Sequence, residues 1–184
     1  FVGALISTLV ISLKGTTVPG ASGFSRFVSR SLSFAGMSLF QSVVAAAIIL
    51  YGLGLEVRSV PLFFLFSFIT SLTFMFIVQA FVTWLDMPGR FLIIILLILQ
   101  LATSAGTFPL ELIPDWLKPL NPWLPMSHSV LGYKAIIASG DFDLVWKQAG
   151  ILGIDAVIFL ALTLVYFLIK GRKAKEVSAE PQTA

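Results

Sequence analysis

Long apolar runs alternate with short polar turns along this chain. The pattern predicts membrane spans at residues 1–13, 31–55, 60–85, 91–106 and 145–169. Several of these runs reach about 18 residues, the length that carries a helix across about 30 Å of hydrocarbon. The first run is shorter, so we expect it to be the end of a helix whose beginning is cut. Because the runs are continuous and do not alternate, they favour helices over a β-barrel.

Composition agrees with a membrane protein and narrows its chemistry. Hydrophobic residues make up 58% of the 184 residues and charged residues 11%, which is outside the range of soluble domains. The absence of cysteine excludes disulfides, thiolate metal sites and cysteine nucleophiles. No GxxxxGK[ST] or HExxH motif occurs, so the sequence predicts no enzyme activity and no cofactor. The net charge of +3 reflects membrane topology, and we expect a lipid bilayer and no nucleic acid as partner.

The positions of lysine and arginine predict the orientation in the membrane. The loop at 14–30, the turn at 86–90 and the tail at 170–184 hold eight of the 12 basic residues, namely Lys14, Arg26, Arg30, Arg90, Lys170, Arg172, Lys173 and Lys175. The other four are Arg58, Lys118, Lys134 and Lys147. The first group therefore marks the cytoplasmic side of the plasma membrane, with the C-terminus inside and residues 107–144 outside. The tail lacks a packing face and is predicted to be disordered.

The insert at 107–144, between the last two predicted spans, is rich in proline and tryptophan. A short helix is predicted from Pro114 through Leu117, with Pro119 ending it. A second helix is predicted from His128 to Ser139, with Ser127 as its cap and Gly140 as its terminator. Both helices are too short to cross a bilayer. With Trp116, Trp123 and Tyr133 at the headgroup level, the insert is predicted to be a re-entrant or interfacial helical pair.

The residues of this insert carry a resemblance to a known family. A span ending in AGTFP, followed by ELIPDWLKPLNPWLPMSHSVLG and a final span, resembles the C-terminal membrane region of YhgE/Pip family proteins. That family in turn looks like the membrane domain of type-2 ABC exporters. The resemblance implies an all-α, six-helix domain in which residues 1–13 are the end of the second helix, with a first helix and a large extracellular domain upstream. It also implies that the helical pair lies outside the cell, between the last two spans.

The same resemblance suggests roles for two groups of residues. The outer pair would act as a gate, with Pro109, Trp116, Pro122, Trp123, Pro125 and Tyr133 as its candidate residues. The loop at 14–30 would be the element that docks on a separate ATPase, through Phe24, Arg26, Phe27 and Arg30. The alternative for that loop is an ordinary basic cytoplasmic loop. Family members are linked to type VII secretion and to phage infection, so a secretion complex is a further candidate partner.

Asp155 is the one acidic residue inside a predicted span. An ionised group near the middle of the bilayer costs at least about 2.5–3.5 kcal/mol, so Asp155 is expected to face other helices or to have a polar partner. The available polar partners on other spans are Gln100, Gln79, Gln41 and Ser42. The functional interpretation is a substrate or proton site; the alternative is a hydrogen bond between helices. His128 is interpreted mainly as a polar residue at a helix start, with pH sensing as the alternative.

Together these observations predict a permease-like membrane domain that takes part in export or secretion with energy from a separate ATPase. Small residues at i, i+4 and i+8, namely Ser38, Ser42 and Ala46, allow close approach of another helix. A homodimer is predicted through helices such as this second span. The competing hypothesis is a membrane receptor or scaffold that transports nothing and binds a partner on its outer surface.

Overall fold

The computed structural model describes residues 2–10, 23–104, 106 and 113–179. All regular secondary structure in those ranges is helical, as the sequence predicts. The α-helices are α1 Val2–Val10, α2 Gly23–Ala47, α3 Val60–Leu85, α4 Met87–Thr103, α5 Pro125–Lys134 and α6 Phe142–Ala179. A π-helical turn at Ile48–Gly52 extends α2, another at Ala135–Ser139 extends α5, and a 3-10 helix covers Lys118–Trp123. The candidate gate residue Pro109 lies outside the described residues.

Three helices of the described part are long and apolar enough to cross a membrane. They are Gly23–Gly52, Val60–Leu85 and Phe142–Lys170, and α4 is a shorter apolar helix of 17 residues. Many large apolar side chains of α2, α4 and α6 are exposed on the outside of the bundle, the arrangement expected where lipid is the surrounding solvent. The chain is therefore an all-helical, multi-pass membrane protein.

α3 is the central helix of the bundle. It contacts α1, α2, α4, α5 and α6, and the consecutive residues 73–80 are all buried. A helix that is apolar on every side is the kind that other helices enclose. Gly89 lets α4 approach most closely, because a Cβ at that position would overlap the carbonyl oxygen of Phe81 on α3.

The small-residue face of α2 packs against α3, so the predicted helix interface is confirmed. Ser38, Ser42 and Ala46 are all buried. The Ser38 hydroxyl donates to Ser71 Oγ at 2.9 Å, and the Ser71 hydroxyl lies 3.2 Å from the Ser38 carbonyl oxygen. This face is thus occupied within one chain. It is not free to form the homodimer contact that the sequence suggested.

Two helices begin earlier than the sequence predicts. α2 begins at Gly23 rather than at residue 31, so part of the predicted basic loop is helical. The helix starts there because Phe27, Ser31 and Phe34 have helical spacing and are buried together. α4 begins at Met87, because Pro88 is accepted in the first turn of a helix. The predicted turn at 86–90 is thereby reduced to Asp86, which has a φ of 53°.

The insert also differs from its predicted form. The predicted short helix is a turn at residues 115–117, and the 3-10 helix Lys118–Trp123 continues through Pro119 instead of ending there. Proline is tolerated early in the 3-10 helix because the first N–H groups of a helix have no partner within it. The hydrogen bonds of the 3-10 helix are donated by residues other than proline; for example, the N–H of Leu120 donates to the Leu117 carbonyl.

The second helix of the insert is longer than predicted at its start. α5 begins at Pro125, whose fixed φ suits a first helical residue. Ser127 is therefore inside the first turn and does not cap the helix. The predicted terminator is confirmed, since Gly140 adopts the left-handed conformation with a φ of 70°. The N–H of Arg58 donates to the Ile136 carbonyl at 3.1 Å and ties the α2–α3 connection to this helix.

The structure continues the last helix through most of the predicted tail. α6 continues to Ala179, because adding residues to an existing helix is far easier than nucleating a new one, and the lysine, alanine, arginine and glutamate residues of the tail are good helix formers. Residues 180–184 lie outside the described part.

Candidate functional site

Buried polar side chains inside the bundle are the first candidate site, and Gln100 on α4 is the most unusual of them. Its side chain is fully buried at 0% exposure. Neither its amide nitrogen nor its amide oxygen has a hydrogen-bond partner among the described residues. Leaving a buried polar group unsatisfied costs about 1–3 kcal/mol. The Gln100 amide therefore has hydrogen-bonding capacity that no described residue uses.

Further polar groups near Gln100 lie where α4 meets the insert. Ser104 ends α4 and Ser127 lies in the first turn of α5; both hydroxyls are buried without a partner among the described residues. The amide nitrogen of Asn121 in the 3-10 helix donates to the carbonyl of Thr103 at the end of α4. This junction therefore combines one interhelical hydrogen bond with several unused hydrogen-bonding groups.

Gln79 on α3 lies in a different place and is half satisfied. Its amide nitrogen donates to Ser31 Oγ of α2 at 3.2 Å. Its amide oxygen has no partner in the described part of the chain. Gln79 and Gln100 form no hydrogen bond with one another, so direct hydrogen bonds do not join these two residues in a common polar site.

Asp155 on α6 is half-buried, and His128 lies close enough for its charge to act on the Asp155 carboxyl group. His128 Nδ1 lies 2.7 Å from Gln148 Oε1, and His128 Nε2 lies 3.0 Å from the carbonyl oxygen of Pro122. Gln148 and Asp155 lie on the same side of α6, because residues at i and i+7 share a face.

The partners that the sequence suggested for Asp155 have other roles. Gln41 donates to the Gly3 carbonyl at 3.2 Å and to Ser7 Oγ at 2.9 Å, and so joins α2 to α1. The Ser42 hydroxyl donates within its own helix to the Leu39 carbonyl. The sequence reasoning missed the link from Asp155 to His128. Two features of the sequence could have indicated this link. His128 is the single histidine of the chain, and Gln148 lies seven residues before Asp155, on the same face of the helix.

The four candidate coupling residues lie in the first two turns of α2, and two of them face the bundle. Phe27 is buried, with its ring 6.4 Å from the Phe167 ring, and the Arg30 guanidinium lies 5.9 Å from the same ring. Phe24 is 57% exposed, and the Nε of Arg26 is buried with no hydrogen-bond partner in the described ranges. Phe27 and Arg30 therefore hold α2 to α6, and Phe24 is the most exposed of the four.

The candidate gate residues also divide into anchors and exposed groups. Trp116 is 75% exposed and Trp123 is 84% exposed. Tyr133 instead packs edge-on against Phe66 of α3, with ring centroids 5.1 Å apart, and its hydroxyl donates to Ser67 Oγ at 3.0 Å. Burial raises the pKa of Tyr133 above its usual value, so the hydroxyl stays protonated and donates.

The remaining contacts of the insert explain how it is held. Gly132 lies against the Phe66 ring so closely that a Cβ would overlap it. Pro125 begins α5, and the carbonyl of Pro122 accepts from His128 if Nε2 carries a proton. In the 3-10 helix, Lys118 forms an exposed ion pair with Asp115 at 2.7 Å, which lowers the pKa of Asp115. Trp116 and Trp123 thus belong to an insert whose other residues attach it to α3 and α6.

The chemistry that these groups offer is hydrogen bonding and proton binding. Among the described residues no cluster of three or more His, Cys, Asp or Glu side chains could hold a metal ion. Amides and hydroxyls placed within apolar helices that are long enough to span a bilayer are typical of a membrane transporter domain.

Comparison with known proteins identifies the family. The chain belongs to the ABC-2 family of transporter proteins, whose family model matches residues 2–165. It is similar to the protein named "Uncharacterized protein YhgE" from Bacillus subtilis (strain 168), with 39% identity over 181 residues. That match covers 98% of this chain and 23% of the relative, so the chain corresponds to only a part of the relative's length. No solved structure matches the chain. The resemblance inferred from the insert is confirmed: the chain is a YhgE-like ABC-2 membrane domain.

Proposed function

We propose that this domain is the permease part of an export or secretion protein that works with a separate ATPase. Membership of the ABC-2 family supports a transporter-like role. The observation that carries the proposal is the fully buried Gln100, whose two amide atoms have no partner among the described residues. A bundle that served only as an anchor would gain about 1–3 kcal/mol from an apolar residue there. A path that is hydrated, or that a polar cargo enters, gives the amide its partners.

The proposed topology has five crossings, by α1, α2, α3, α4 and α6, with the insert outside and the C-terminus in the cytoplasm of a plasma membrane. Its support is the distribution of lysine and arginine. α4, with 17 residues, extends for about 25 Å, nearly the thickness of the hydrocarbon layer. α1 is packed into the bundle by Ala4 and Ser7, which are both buried. Arg90 Nη2 also donates to the Thr8 carbonyl near the end of α1, at 3.3 Å.

The proposed mechanism is alternating exposure of a path between two copies of the domain. Because α3 covers the small-residue face of α2, the homodimer would use the opposite, apolar face, where Leu39, Phe40 and Val43 are exposed. The exposed Phe24 and the neighbouring Arg26 would receive the ATPase, next to Phe27 and Arg30, which fix the start of α2. The insert would open and close the outer end of the path.

A receptor or scaffold that transports nothing is the second candidate function. The observation that favours it is the pair of exposed indoles, Trp116 and Trp123, because tryptophan is enriched at the centres of protein interfaces. In this case the insert would bind a secretion-complex subunit or a phage component. The buried amide groups would then have no role in transport.

ATP hydrolysis by the complex isolated from its native membrane tests the first proposal. The protein, purified in lipid nanodiscs with its associated subunits, should hydrolyse ATP. The rate should fall several-fold when Phe24→Ala and Arg26→Ala are combined. The matched control is Phe91→Ala, which removes an exposed phenylalanine of α4 outside both the proposed docking site and the proposed homodimer face and should leave hydrolysis unchanged. A complex that is active in secretion or phage infection but hydrolyses no ATP would favour the receptor or scaffold.

A further inference from the structure

A groove on the surface of the bundle lies between the start of α3 and the start of α6. Its walls are Ser59, Pro61, Leu62 and Leu65 on one side and Phe142 and Trp146 on the other, and its volume is about 360 Å³. Five of these six residues are apolar, and the side chains of Leu65, Phe142 and Trp146 are exposed. Small-molecule sites range from about 300 to 1,000 Å³, so the groove has the size for one narrow apolar group.

Two glycines extend the groove along α6. Gly150 and Gly153 follow Trp146 at i+4 and i+7, and residues with that spacing share one side of a helix. A Cβ at either position would have no neighbouring atom within 4 Å, so nothing in the described part of the chain covers this strip. From Trp146 to Gly153 a helix rises by about 10 Å. An open strip of that length, leading from the helix start towards the middle of the bilayer, fits an extended alkyl chain.

Hydrogen-bond donors lie at the other end of the groove, where the two helices start. The Ser59 hydroxyl does not cap α3, and the exposed Trp146 carries an indole N–H, which can only donate. Arg58 precedes Ser59, and its Cγ lies 3.5 Å from the position that a Gly140 Cβ would occupy. The Arg58 side chain therefore lies between the α2–α3 connection and the start of α6. Phosphate and ester oxygens only accept hydrogen bonds, so a phospholipid supplies the acceptors for this end and an alkyl chain for the strip.

Charged side chains of both signs border the same end. They lie next to the groove residues in the sequence and are all exposed, namely Glu56, Arg58, Asp141, Asp143 and Lys147. A head group with only a negative charge would meet three carboxylates and two cations there. A zwitterionic head group places its phosphate beside the cations and its ammonium beside the carboxylates. Its charges are therefore the better complement of this rim.

We propose that this groove is a binding site for a single phospholipid whose head group carries a phosphate and a primary ammonium, the chemistry of phosphatidylethanolamine. One acyl chain lies between Leu65 and Trp146 and continues over Gly150 and Gly153. The phosphate accepts from Arg58, and the ammonium lies beside the carboxylates of the rim. The site requires only that the chain is a membrane protein, so it is independent of whether the domain transports and of which side of the membrane the insert occupies.

Quenching of Trp146 by brominated lipid tests whether a lipid occupies the groove. The protein in detergent is titrated with phosphatidylethanolamine whose acyl chains carry bromine, which quenches an indole only at close contact. The difference in fluorescence between the wild type and Trp146→Phe separates Trp146 from the other tryptophans of the chain. This difference should fall and reach a plateau at one lipid per chain. A fall without a plateau would show ordinary lipid contact, and no fall would show that the groove is closed or covered by another group, such as a second copy of the chain; either result overturns the site.

Gly150→Leu tests the position of the acyl chain. Side chains of a helix lean towards its N-terminus, so the added side chain would lie beside Trp146 and fill the strip. The affinity for the brominated lipid should fall about tenfold, because about two methylene groups of the lipid lose their place. The matched control is Ala161→Leu, which adds apolar volume to the exposed face of the same helix about 16 Å away and should leave the affinity unchanged. Equal affinities of Gly150→Leu and the wild type would refute the placement of the chain.

Phosphatidylglycerol tests the head group, because it has the same phosphate and no ammonium. It should bind about three- to tenfold more weakly than phosphatidylethanolamine, the ratio that corresponds to one hydrogen bond. Arg58→Gln should weaken the binding of both lipids by a similar factor. Binding of phosphatidylglycerol as tight as that of phosphatidylethanolamine would contradict the zwitterionic head group, and an unchanged affinity in Arg58→Gln would contradict the phosphate contact.

Discussion

Glutamines of the domain are buried or half-buried at several positions. Replacing three of them by leucine, one at a time, should raise the stability of the domain at one position and lower it at another. The amide of Gln100 has no partner among the described residues, that of Gln79 has one, and that of Gln41 has two. Removing an unsatisfied buried polar group recovers about 1–3 kcal/mol, whereas removing one member of a hydrogen-bonded set leaves its partners unsatisfied at a similar cost. Leucine has nearly the volume of glutamine, so the cavity contribution is small.

The expected order follows from these partner counts. Gln100→Leu should stabilise the domain by about 1–3 kcal/mol, Gln79→Leu should change it by less than about 1 kcal/mol, and Gln41→Leu should destabilise it by about 1–3 kcal/mol. For a chain of this size each kcal/mol corresponds to roughly 2–4 °C in the melting temperature. Thermal unfolding in one detergent, followed by intrinsic fluorescence, measures all three variants under the same conditions.

The same series separates stability from function. If Gln100 lines a transport path, Gln100→Leu should raise the melting temperature and lower transport or secretion. Gln41→Leu should lower function only as far as it lowers abundance in the membrane. A loss of stability in Gln100→Leu as large as that in Gln41→Leu would refute the reasoning, because it would show that the Gln100 amide is satisfied in the folded domain.

Three further predictions concern how the helices are held together. Gly132→Ala should lower the melting temperature by several degrees, because the added Cβ would overlap the Phe66 ring and overpacking costs about 1–3 kcal/mol. The control is Gly150→Ala, where nothing lies within 4 Å of the added Cβ; it should raise stability by about 0.5–1 kcal/mol. Tyr133→Phe should cost about 0.5–1.5 kcal/mol by removing the hydrogen bond to Ser67, and an unchanged melting temperature would contradict that role. Arg90→Gln should increase proteolysis near residues 8–10, because Arg90 donates to the Thr8 carbonyl at the end of α1. Arg58→Gln, which removes an exposed cation from a connection between helices, should leave proteolysis there unchanged.

The parts of the fold that the sequence predicted correctly depend on local patterns. The close contact of α2 with α3 follows from small residues at helical spacing, and such spacing indicates close approach whichever helix becomes the partner. Gly140 was recognised as a helix terminator because a residue with positive φ is needed there. The membrane class follows from the length of the apolar runs alone.

The errors arose where a distant contact decides the local structure. Residues 23–30 read as a basic loop because two arginines lie among them, but Arg30 packs over Phe167 of α6, and a long side chain of this kind can lie along an apolar surface. Likewise, Pro119 was predicted to end a helix, yet the 3-10 helix containing it is held by Asn121, which bonds to the end of α4. Neither partner is close in sequence.

In the candidate site, too, the sequence indicated what depends on a local pattern and missed what depends on a distant contact. Asp155 stood out in the sequence because a charge within an apolar run is unusual. Its partner did not stand out, since His128 reaches α6 only when α5 docks through Gly132 and Tyr133 onto α3. That Gln100 has no partner among the described residues is a property of the packed helices, so no pattern in the sequence could have indicated it.

Labelling of single cysteines from outside the cell tests the five-crossing arrangement most directly. The chain contains no cysteine, so introduced ones report without background from this domain. In intact cells a membrane-impermeant maleimide should label Glu56→Cys and Trp123→Cys, and it should label Asp86→Cys and Lys170→Cys only after the membrane is permeabilised. Labelling of Asp86→Cys or Lys170→Cys in intact cells, or protection of Trp123→Cys, would contradict the orientation and the outer position of the insert on which the proposed gate depends.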